Sequence, residues 1–149
     1  MSKRYKKDKL CAKLKQRGDN ILEIDTQCQK GVFFVRLKGE LTKNTVDKLQ
    51  DEVTSLVKDN GIRNVVFNIN ELNTIDMKGI NALLHNYELI KSNNGYGCVC
   101  GISNTLVKHR ISNSRLLKYM YETSDEMGAL NIINLYKEKS YDRWNNWYN

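Results

Sequence analysis

Alternating apolar and polar residues mark two adjacent strands near the beginning of the folded region. Residues 21–26 alternate as a half-buried strand does, and residues 32–37 are rich in β-branched and aromatic side chains. Gln29, Lys30 and Gly31 stand between the two runs and predict a turn. The pattern therefore predicts a β-hairpin.

Apolar side chains at intervals of three and four residues predict two amphipathic helices after the hairpin. The first apolar stripe consists of Val46, Leu49, Val53, Leu56 and Val57. Thr42 is the predicted N-cap of this helix, and Asn60 with Gly61 forms its predicted end. The second stripe consists of Ile80, Leu83, Leu84, Tyr87 and Ile90. Asp76 stands where the N-cap of the second helix is expected.

The remaining segments alternate between strand and helix patterns. Strands are predicted at residues 64–69, 97–102 and 118–123, and helices at residues 104–111 and from Ser124 onward. Residues 70–76 are predicted to form a polar loop. Strands that alternate with helices in this way predict an α/β fold. We expect one domain with a mixed, largely parallel five-stranded sheet packed with about four helices.

The length and composition fit a single globular domain with short extensions. The chain has 149 residues, of which 40% are hydrophobic and 28% are charged. These values exclude a collagen, a coiled-coil rod and a wholly disordered chain. No apolar run approaches the roughly 18–20 residues of a membrane-spanning helix, and no apolar segment of a secretory signal follows the basic N-terminus. A cytoplasmic location is therefore expected, with no transmembrane segment.

The net charge is concentrated at the N-terminus. Residues 1–17 hold eight Lys or Arg and one Asp, a net charge of +7, which equals the net charge of the whole chain. The rest of the chain is therefore neutral, so the basic balance is no argument that the folded domain binds nucleic acid. We predict a flexible basic arm at residues 1–18. Its role is either that of a solvated extension or a contact to a polyanion through residues 1–17, such as RNA, DNA or an anionic membrane surface.

Aromatic residues are concentrated at the C-terminus. Five of the thirteen aromatic side chains fall near this end: Tyr136, Tyr141, Trp144, Trp147 and Tyr148. We predict a domain at residues 19–138 and an aromatic tail at residues 139–149. The tail is expected to fold back as a helix, to anchor a partner or a second copy in a homodimer, or to be disordered. So much apolar surface favours packing of Trp144 or Trp147 on the domain or on a second copy of it.

The chain carries no recognisable catalytic or metal-binding motif. The cysteines are Cys11, Cys28, Cys98 and Cys100, and the histidines are His85 and His109. Because cytosolic thiols are usually reduced, we expect all four to be free. Because no CxxC pair exists, we expect no metal site. Cys98 and Cys100 share one face of a predicted strand, where packing is the expected role. With neither a P-loop nor a GxSxG motif, we expect no catalytic residue, no enzyme activity and no cofactor.

Three segments carry a resemblance to a known family. They are VFFVRLKGEL at residues 32–41, VVFNINELNTIDMKGI at residues 65–80 and VKHRISNSRLLKYMYETSDEMGAL at residues 107–130. In this order and spacing, the chain resembles the STAS domain over about residues 21–135, and specifically the bacterial anti-sigma factor antagonist family. The resemblance implies a STAS-like α/β domain that regulates transcription by protein–protein interaction. In that family the unphosphorylated domain binds a kinase-like anti-sigma factor, which in turn phosphorylates a Ser or Thr of the domain.

The resemblance also implies where a partner binds. The implied partner-binding residues are Gly39, Glu40, Thr74, Asp76, Met77, Lys78, Gly79, Ile80 and Ser114. Elementary chemistry favours the same loop, because ligands gather at the carboxyl ends of parallel strands and a helix N-terminus attracts anions. A phosphate added in this loop would be electrostatically well placed.

Three positions depart from the family pattern. Lys78 occupies the place of the phosphorylated Ser or Thr, Thr42 stands where Asp is common, and Arg115 replaces the Gly that follows Ser114. Because a lysine forms no stable phosphate ester, no phosphorylation is expected at the family position. Lys78 is either a neutral replacement on an exposed loop or a contact to an acidic group of a partner.

The leading hypothesis is a non-enzymatic regulatory module that binds an anti-sigma factor kinase, or another protein partner, without the usual phosphorylation switch. The alternative is a STAS subunit of another complex, such as a lipid or anion transporter or a stressosome-like scaffold. A nucleic-acid binder that acts through residues 1–17 is a third hypothesis, and it would show a steep dependence on salt.

The charge distribution predicts the effect of deleting the arm. A chain truncated at Gly18 should lose any affinity for polyanions such as heparin or RNA, because the deleted residues carry the entire net charge. Its thermal unfolding should barely change, since a charged segment with few apolar groups buries little surface. Binding measured over a range of salt concentrations, together with melting curves, tests both points. A large drop in melting temperature would instead mean that the arm packs on the domain.

Overall fold

A computed structural model describes the backbone of residues 21–148 and the side chains of residues 21–138. The predictions for the basic arm and Cys11, and for the packing of Trp144 or Trp147, lie outside the residues described in this way. They remain predictions.

Five strands form one mixed sheet in the order β1-β2-β3-β4-β5. The strands are β1 Leu22–Gln29, β2 Val32–Leu41, β3 Asn64–Ile75, β4 Gly97–Cys100 and β5 Tyr121–Thr123. β1 pairs antiparallel with β2, and every later pair is parallel. Lys30 and Gly31 form the hairpin turn with φ angles of 53° and 77°. Positive φ at both central residues matches the right-handed twist of the flanking strands, so the predicted hairpin and mixed five-stranded sheet are confirmed.

Helices cover both faces of the sheet, four on one side and one on the other. The described residues form α1 Val46–Thr54, α2 Met77–Ser92, α3 Thr105–Ser112, α4 Leu116–Tyr119 and α5 Glu126–Tyr148. A π-helical turn, Ser55–Asp59, continues α1 and ends at Asn60, as the Asn-Gly pair predicts. No helix in the described part of the chain combines the length and the apolarity that crossing a membrane requires.

Two apolar cores result from this arrangement. The larger core lies between the sheet and α1 to α4, and its fully buried side chains include Leu37, Leu49, Phe67, Leu83 and Ile111. The smaller core lies on the opposite face, where α5 packs on the sheet through Ala129, Leu130 and Ile133. Cys98 and Cys100 are buried in this second core. The predicted packing role of these two cysteines is confirmed.

β3 is longer than its sequence pattern predicts. Residues 70–76 were expected to form a polar loop, but the strand continues through Ile75. Its pairing with β2 shifts register at two points and still joins Gly39 to Leu72 and Leu41 to Ile75. Leu72 and Ile75 are buried, so the apolar anchors of this polar stretch lie three residues apart. A regular strand buries every second residue, so this three-residue spacing does not produce a strand pattern that can be recognised in the sequence.

Two further predictions are wrong in detail. Residues 118–123 were expected to be one strand, but Leu116–Tyr119 is helical and only Tyr121–Thr123 pairs with β4. Thr42 was expected to cap α1, but Thr45 occupies that position. The Thr45 hydroxyl donates to the Glu40 carbonyl oxygen at 2.8 Å and accepts from the Thr42 N–H at 2.9 Å. A turn therefore separates Thr42 from the helix.

A charged network joins α5 to the middle of the sheet. Arg36 donates two hydrogen bonds to Glu126, from Nε to Oε2 at 2.7 Å and from Nη2 to Oε1 at 2.8 Å. Asn68, which pairs with Arg36 across the sheet, donates from Nδ2 to Oε2 at 2.8 Å. The hydrogen bonds from Arg36 lower the pKa of Glu126 despite its partial burial. The network fixes the start of α5 over β2 and β3.

The network predicts a pH-dependent loss of stability. Replacing Glu126→Gln should lower the free energy of unfolding at neutral pH by about 1 kcal/mol, because the lost hydrogen bonds are charge-assisted but partly exposed to solvent. A carboxyl with a depressed pKa stabilises the fold fully above its unfolded value of about 4.3, and the contribution disappears as pH falls through the folded pKa. The difference between the two proteins should therefore vanish in acid.

Urea unfolding at neutral and acid pH measures this difference. Glu52→Gln, on the exposed side of α1, is the matched control and should change stability little at either pH. An equal effect of the two substitutions at neutral pH would contradict a stabilising role for the network.

Candidate functional site

The predicted site lies where β2 and β3 end and α2 begins. Glu40 pairs with Thr74, and Leu41 with Ile75, at the carboxyl ends of these two parallel strands. The chain then enters α2 at Met77. The fold therefore brings together residues that lie more than thirty positions apart in the sequence.

Asp76 connects the two loops of the site. Its Oδ1 accepts a hydrogen bond from the Gly79 N–H at 2.8 Å, which caps α2 as predicted. Its Oδ2 accepts from the Lys43 N–H at 3.0 Å, so the same carboxylate holds the loop that follows β2. The Asp76 N–H donates to the Leu41 carbonyl oxygen at 3.2 Å. Asp76 is therefore a structural residue of the site, with both carboxylate oxygens engaged.

Gly79 and Gly39 are required by close packing in the site. A Cβ atom on Gly79 would collide with the Leu41 carbonyl oxygen, and Gly79 is itself buried. Gly39 adopts a φ of 109°, and a Cβ atom there would collide with the Ile21 carbonyl oxygen. Ile80 is buried in the larger core. Gly39, Gly79 and Ile80 therefore determine the conformation of the loop through close packing.

Met77 and Lys78 are the accessible residues of the first turn of α2. The Met77 side chain is 64% exposed, the highest value among the exposed large apolar residues of the described chain. Lys78 is also exposed, and the turn contains no acidic side chain. A positive charge at a helix N-terminus opposes the helix dipole at a cost of about 0.3–1 kcal/mol. An apolar side chain and a charge thus project from a rigidly held helix start.

Lys43 and Arg110 also belong to the site, although the sequence analysis did not select them. Arg110, from α3, donates from Nη1 to the Ile75 carbonyl oxygen at 2.7 Å. Lys43 contributes the backbone N–H that Asp76 accepts. Both side chains are largely exposed. Together with Lys78 they give this end of the sheet three basic side chains, which we call the basic rim. No local pattern marks them, because only the tertiary fold brings α3 to the end of β3.

Ser114 has a different environment from the other predicted residues. It lies between α3 and α4, where its hydroxyl donates to the Ile111 carbonyl oxygen at 2.6 Å and accepts from the Leu116 N–H at 3.2 Å. These hydrogen bonds stabilise the connection between the two helices. None of the hydrogen bonds described for Ser114 reaches residues 74–80.

Among the described residues, neither the two buried thiols, Cys98 and Cys100, nor the acidic groups form a second chemical centre. Burial raises the pKa of Cys98 to about 11 and that of Cys100 to about 12, so both remain neutral thiols at physiological pH. No group of three or more His, Cys, Asp or Glu within the described residues is placed to hold a metal ion.

Known proteins share both the sequence pattern and the fold. A family model described as "STAS domain" matches residues 23–136. The anti-sigma F factor antagonist of Paenibacillus polymyxa is 29% identical over 109 residues, which cover 73% of this chain and 92% of that protein.

Solved structures show the same fold at lower identity. An anti-sigma factor antagonist from Mycobacterium paratuberculosis aligns with a TM-score of 0.69 at 18% identity, covering 76% of this chain and 95% of that one. The Bacillus cell fate determinant SpoIIAA in its phosphorylated form aligns with a TM-score of 0.56 at 17% identity, covering 75% of this chain and 99% of that one. Since the family model spans more than half of the sequence, this chain belongs to the STAS domain family and is similar to its anti-sigma factor antagonists.

Proposed function

We propose that this chain is a non-enzymatic regulatory module of the anti-sigma factor antagonist type. In this proposal it binds a kinase-like anti-sigma factor in the cytoplasm through the end of the sheet formed by β2, β3 and α2. Contact residues are Glu40, Thr74, Met77 and Lys78, while Gly39, Asp76, Gly79 and Ile80 hold their backbone. Ser114 belongs to the partner surface only by analogy with the family.

The observation that carries the proposal is the exposure of Met77 and Lys78 on a fixed helix start. Partner binding is favoured when the contact residues are already ordered, because less conformational entropy is lost on association. Asp76 and Gly79 provide that order through their contacts with Lys43 and Leu41. An exposed methionine next to a charge offers an apolar contact and an ionic one in a single helical turn.

Lys78 determines how such an interaction would be regulated. Phosphoserine adds about −1.5 to −2 charges at neutral pH, whereas Lys78 adds +1. The repulsion that a phosphate would introduce therefore never develops at this position. We propose that partner binding is constitutive and that the basic rim recognises an acidic surface of the partner.

A STAS subunit of a different complex is the second candidate, and the same lysine favours it. A subunit whose binding is not switched by phosphorylation loses no function when the acceptor residue is absent. Affinity capture with the full chain from native lysate, with and without ATP, separates the two candidates. Recovery of a protein with a kinase fold supports the first, and recovery of transporter or scaffold subunits without such a protein supports the second.

The missing acceptor predicts resistance to phosphorylation. After incubation with the captured kinase and ATP, intact-mass measurement of the chain should show no stoichiometric gain of a phosphoryl group in residues 74–80. Lys78→Ser should gain one, because it restores a hydroxyl at the family position. Modification of the unaltered chain at Thr74 would overturn constitutive binding. Failure of Lys78→Ser to react would count against the captured kinase as the cognate partner.

Charge reversal at Lys78 predicts weaker binding. Lys78→Glu should raise the dissociation constant for the captured partner about fivefold, the size expected for a solvent-exposed ionic contact of about 1 kcal/mol. Lys58→Glu reverses the charge of another exposed lysine, in the π-helical turn. It is the matched control and should leave affinity unchanged. Calorimetric titration of both variants provides the comparison. Equal affinities for the two variants would mean that Lys78 is a neutral replacement.

A further inference from the structure

We call the segment from Thr74 to Ile80, where we propose that the partner binds, the partner loop. A cavity lined by tyrosines opens at the opposite end of the sheet from it. It has a volume of about 380 Å³ and is lined by Tyr87, Tyr96, Tyr119, Tyr121, Tyr136 and Lys91. We call this cavity the tyrosine pocket. Its volume lies within the range of about 300–1,000 Å³ that is typical of small-molecule sites.

The pocket is separated from the partner loop by the length of α2. Gly97 and Tyr121, the first residues of β4 and β5, mark the amino ends of these parallel strands. Tyr87 and Lys91 lie in the second half of α2, whose first turn carries Lys78. Lys91 lies fourteen positions after Met77 along the helix, which corresponds to about 20 Å. A ligand in the tyrosine pocket and a protein at the partner loop would therefore not compete for space.

The tyrosine rings form an ordered but incompletely covered surface. The rings of Tyr96 and Tyr136 stack with centroids 5.7 Å apart and an interplanar angle of 8°. Tyr121 meets Tyr136 edge-on, with centroids 6.3 Å apart. Tyr119 and Tyr121 nevertheless remain 57% and 52% exposed. Aromatic faces held in place and still open to solvent favour stacking with a further planar ring.

The floor of the pocket is kept open by a glycine. Gly97 is buried, and a Cβ atom there would lie 2.9 Å from Cδ1 of Tyr87. Any side chain at this position would therefore intrude on the tyrosine. Cys98 lies beside it as a neutral thiol, because burial raises its pKa to about 11. The floor offers neither a thiolate nor a metal ligand, so binding there would be non-covalent.

The polar groups of the pocket favour an anion. Lys91 is the one charged side chain among the described residues that line it, and no described lining residue is acidic. The tyrosine hydroxyls are hydrogen-bond donors at neutral pH, and burial raises the pKa of Tyr87 further. An ammonium ligand would be repelled by Lys91, even though tyrosine rings alone attract cations. A neutral aromatic could stack on the rings but would gain no ionic contact with Lys91.

We propose that the tyrosine pocket binds a small planar aromatic anion, with the ring against the tyrosine faces and the anionic group on Lys91. The carboxylate is the simplest such group. This site is independent of the proposed partner interface, since it shares no residue with it.

Titration of the full-length, nitrogen-15-labelled chain with three probes tests the proposal by NMR. The probes are 2-naphthoate, its neutral amide 2-naphthamide, and the non-aromatic anion cyclohexanecarboxylate. We expect 2-naphthoate to shift the amide signals of Gly97 and Tyr121 in a saturable manner and to leave that of Gly79 unchanged. The other two probes should bind at least about tenfold more weakly, because each lacks one of the two interactions. Equal binding of all three probes, or shifts confined to other residues, would overturn the proposal.

Substitution of Lys91 provides a second test of the proposal. Lys91→Ala should weaken 2-naphthoate binding about tenfold, the loss expected for a charge-assisted contact, and should not change binding of the neutral amide. Lys91→Arg should retain most of the affinity, and Lys58→Ala is the control for an unrelated exposed lysine. Unchanged affinity in Lys91→Ala would overturn the assignment of the anionic group. Partner binding through Lys78 is measured separately, so failure of either proposal leaves the other standing.

Discussion

The pairing of β2 with β3 out to their carboxyl ends is the constraint on which the site depends. It brings Leu41 beside Ile75, so that the Leu41 carbonyl oxygen accepts from the Asp76 N–H and also lies against Gly79. Asp76 then caps α2 and holds Lys43 with its two carboxylate oxygens. If this pairing ended at Ile69, as the apolar run does, the first turn of α2 would have no fixed position.

The two faces of the sheet differ in how they are covered. Four helices bury one face in a large apolar core, whereas α5 alone covers the other. A single helix makes fewer apolar contacts, and the hydrogen bonds of Glu126 to Arg36 and Asn68 add a directional constraint at its start. Further along α5, Tyr136 lines the tyrosine pocket at the amino ends of β4 and β5. Helix α5 therefore connects the centre of the sheet to a surface far from the partner loop.

Among the described residues, the exposed charged and aromatic side chains discussed above lie at two opposite ends of the sheet. Charge and a single exposed methionine dominate at the carboxyl ends of β2 and β3, where we propose that a protein partner binds. Aromatic rings and one lysine dominate at the amino ends of β4 and β5, where the cavity has the dimensions of a small molecule. Helix α2 contributes residues to both ends, from Met77 and Lys78 to Tyr87 and Lys91.

The sequence alone determined the α/β class, the hairpin and the cap at Asp76. Each of these depends on local signals: residue periodicity, a Lys-Gly turn, or an Asp that precedes an apolar stripe. It also identified Lys78 as a departure from the family, because motif order requires no coordinates. Only the tertiary structure decided the length of β3, the place of Thr45, and the presence of Arg110 and the tyrosine pocket. These features join residues distant in the chain, and burial at Leu72 and Ile75 comes from packing that no local pattern encodes.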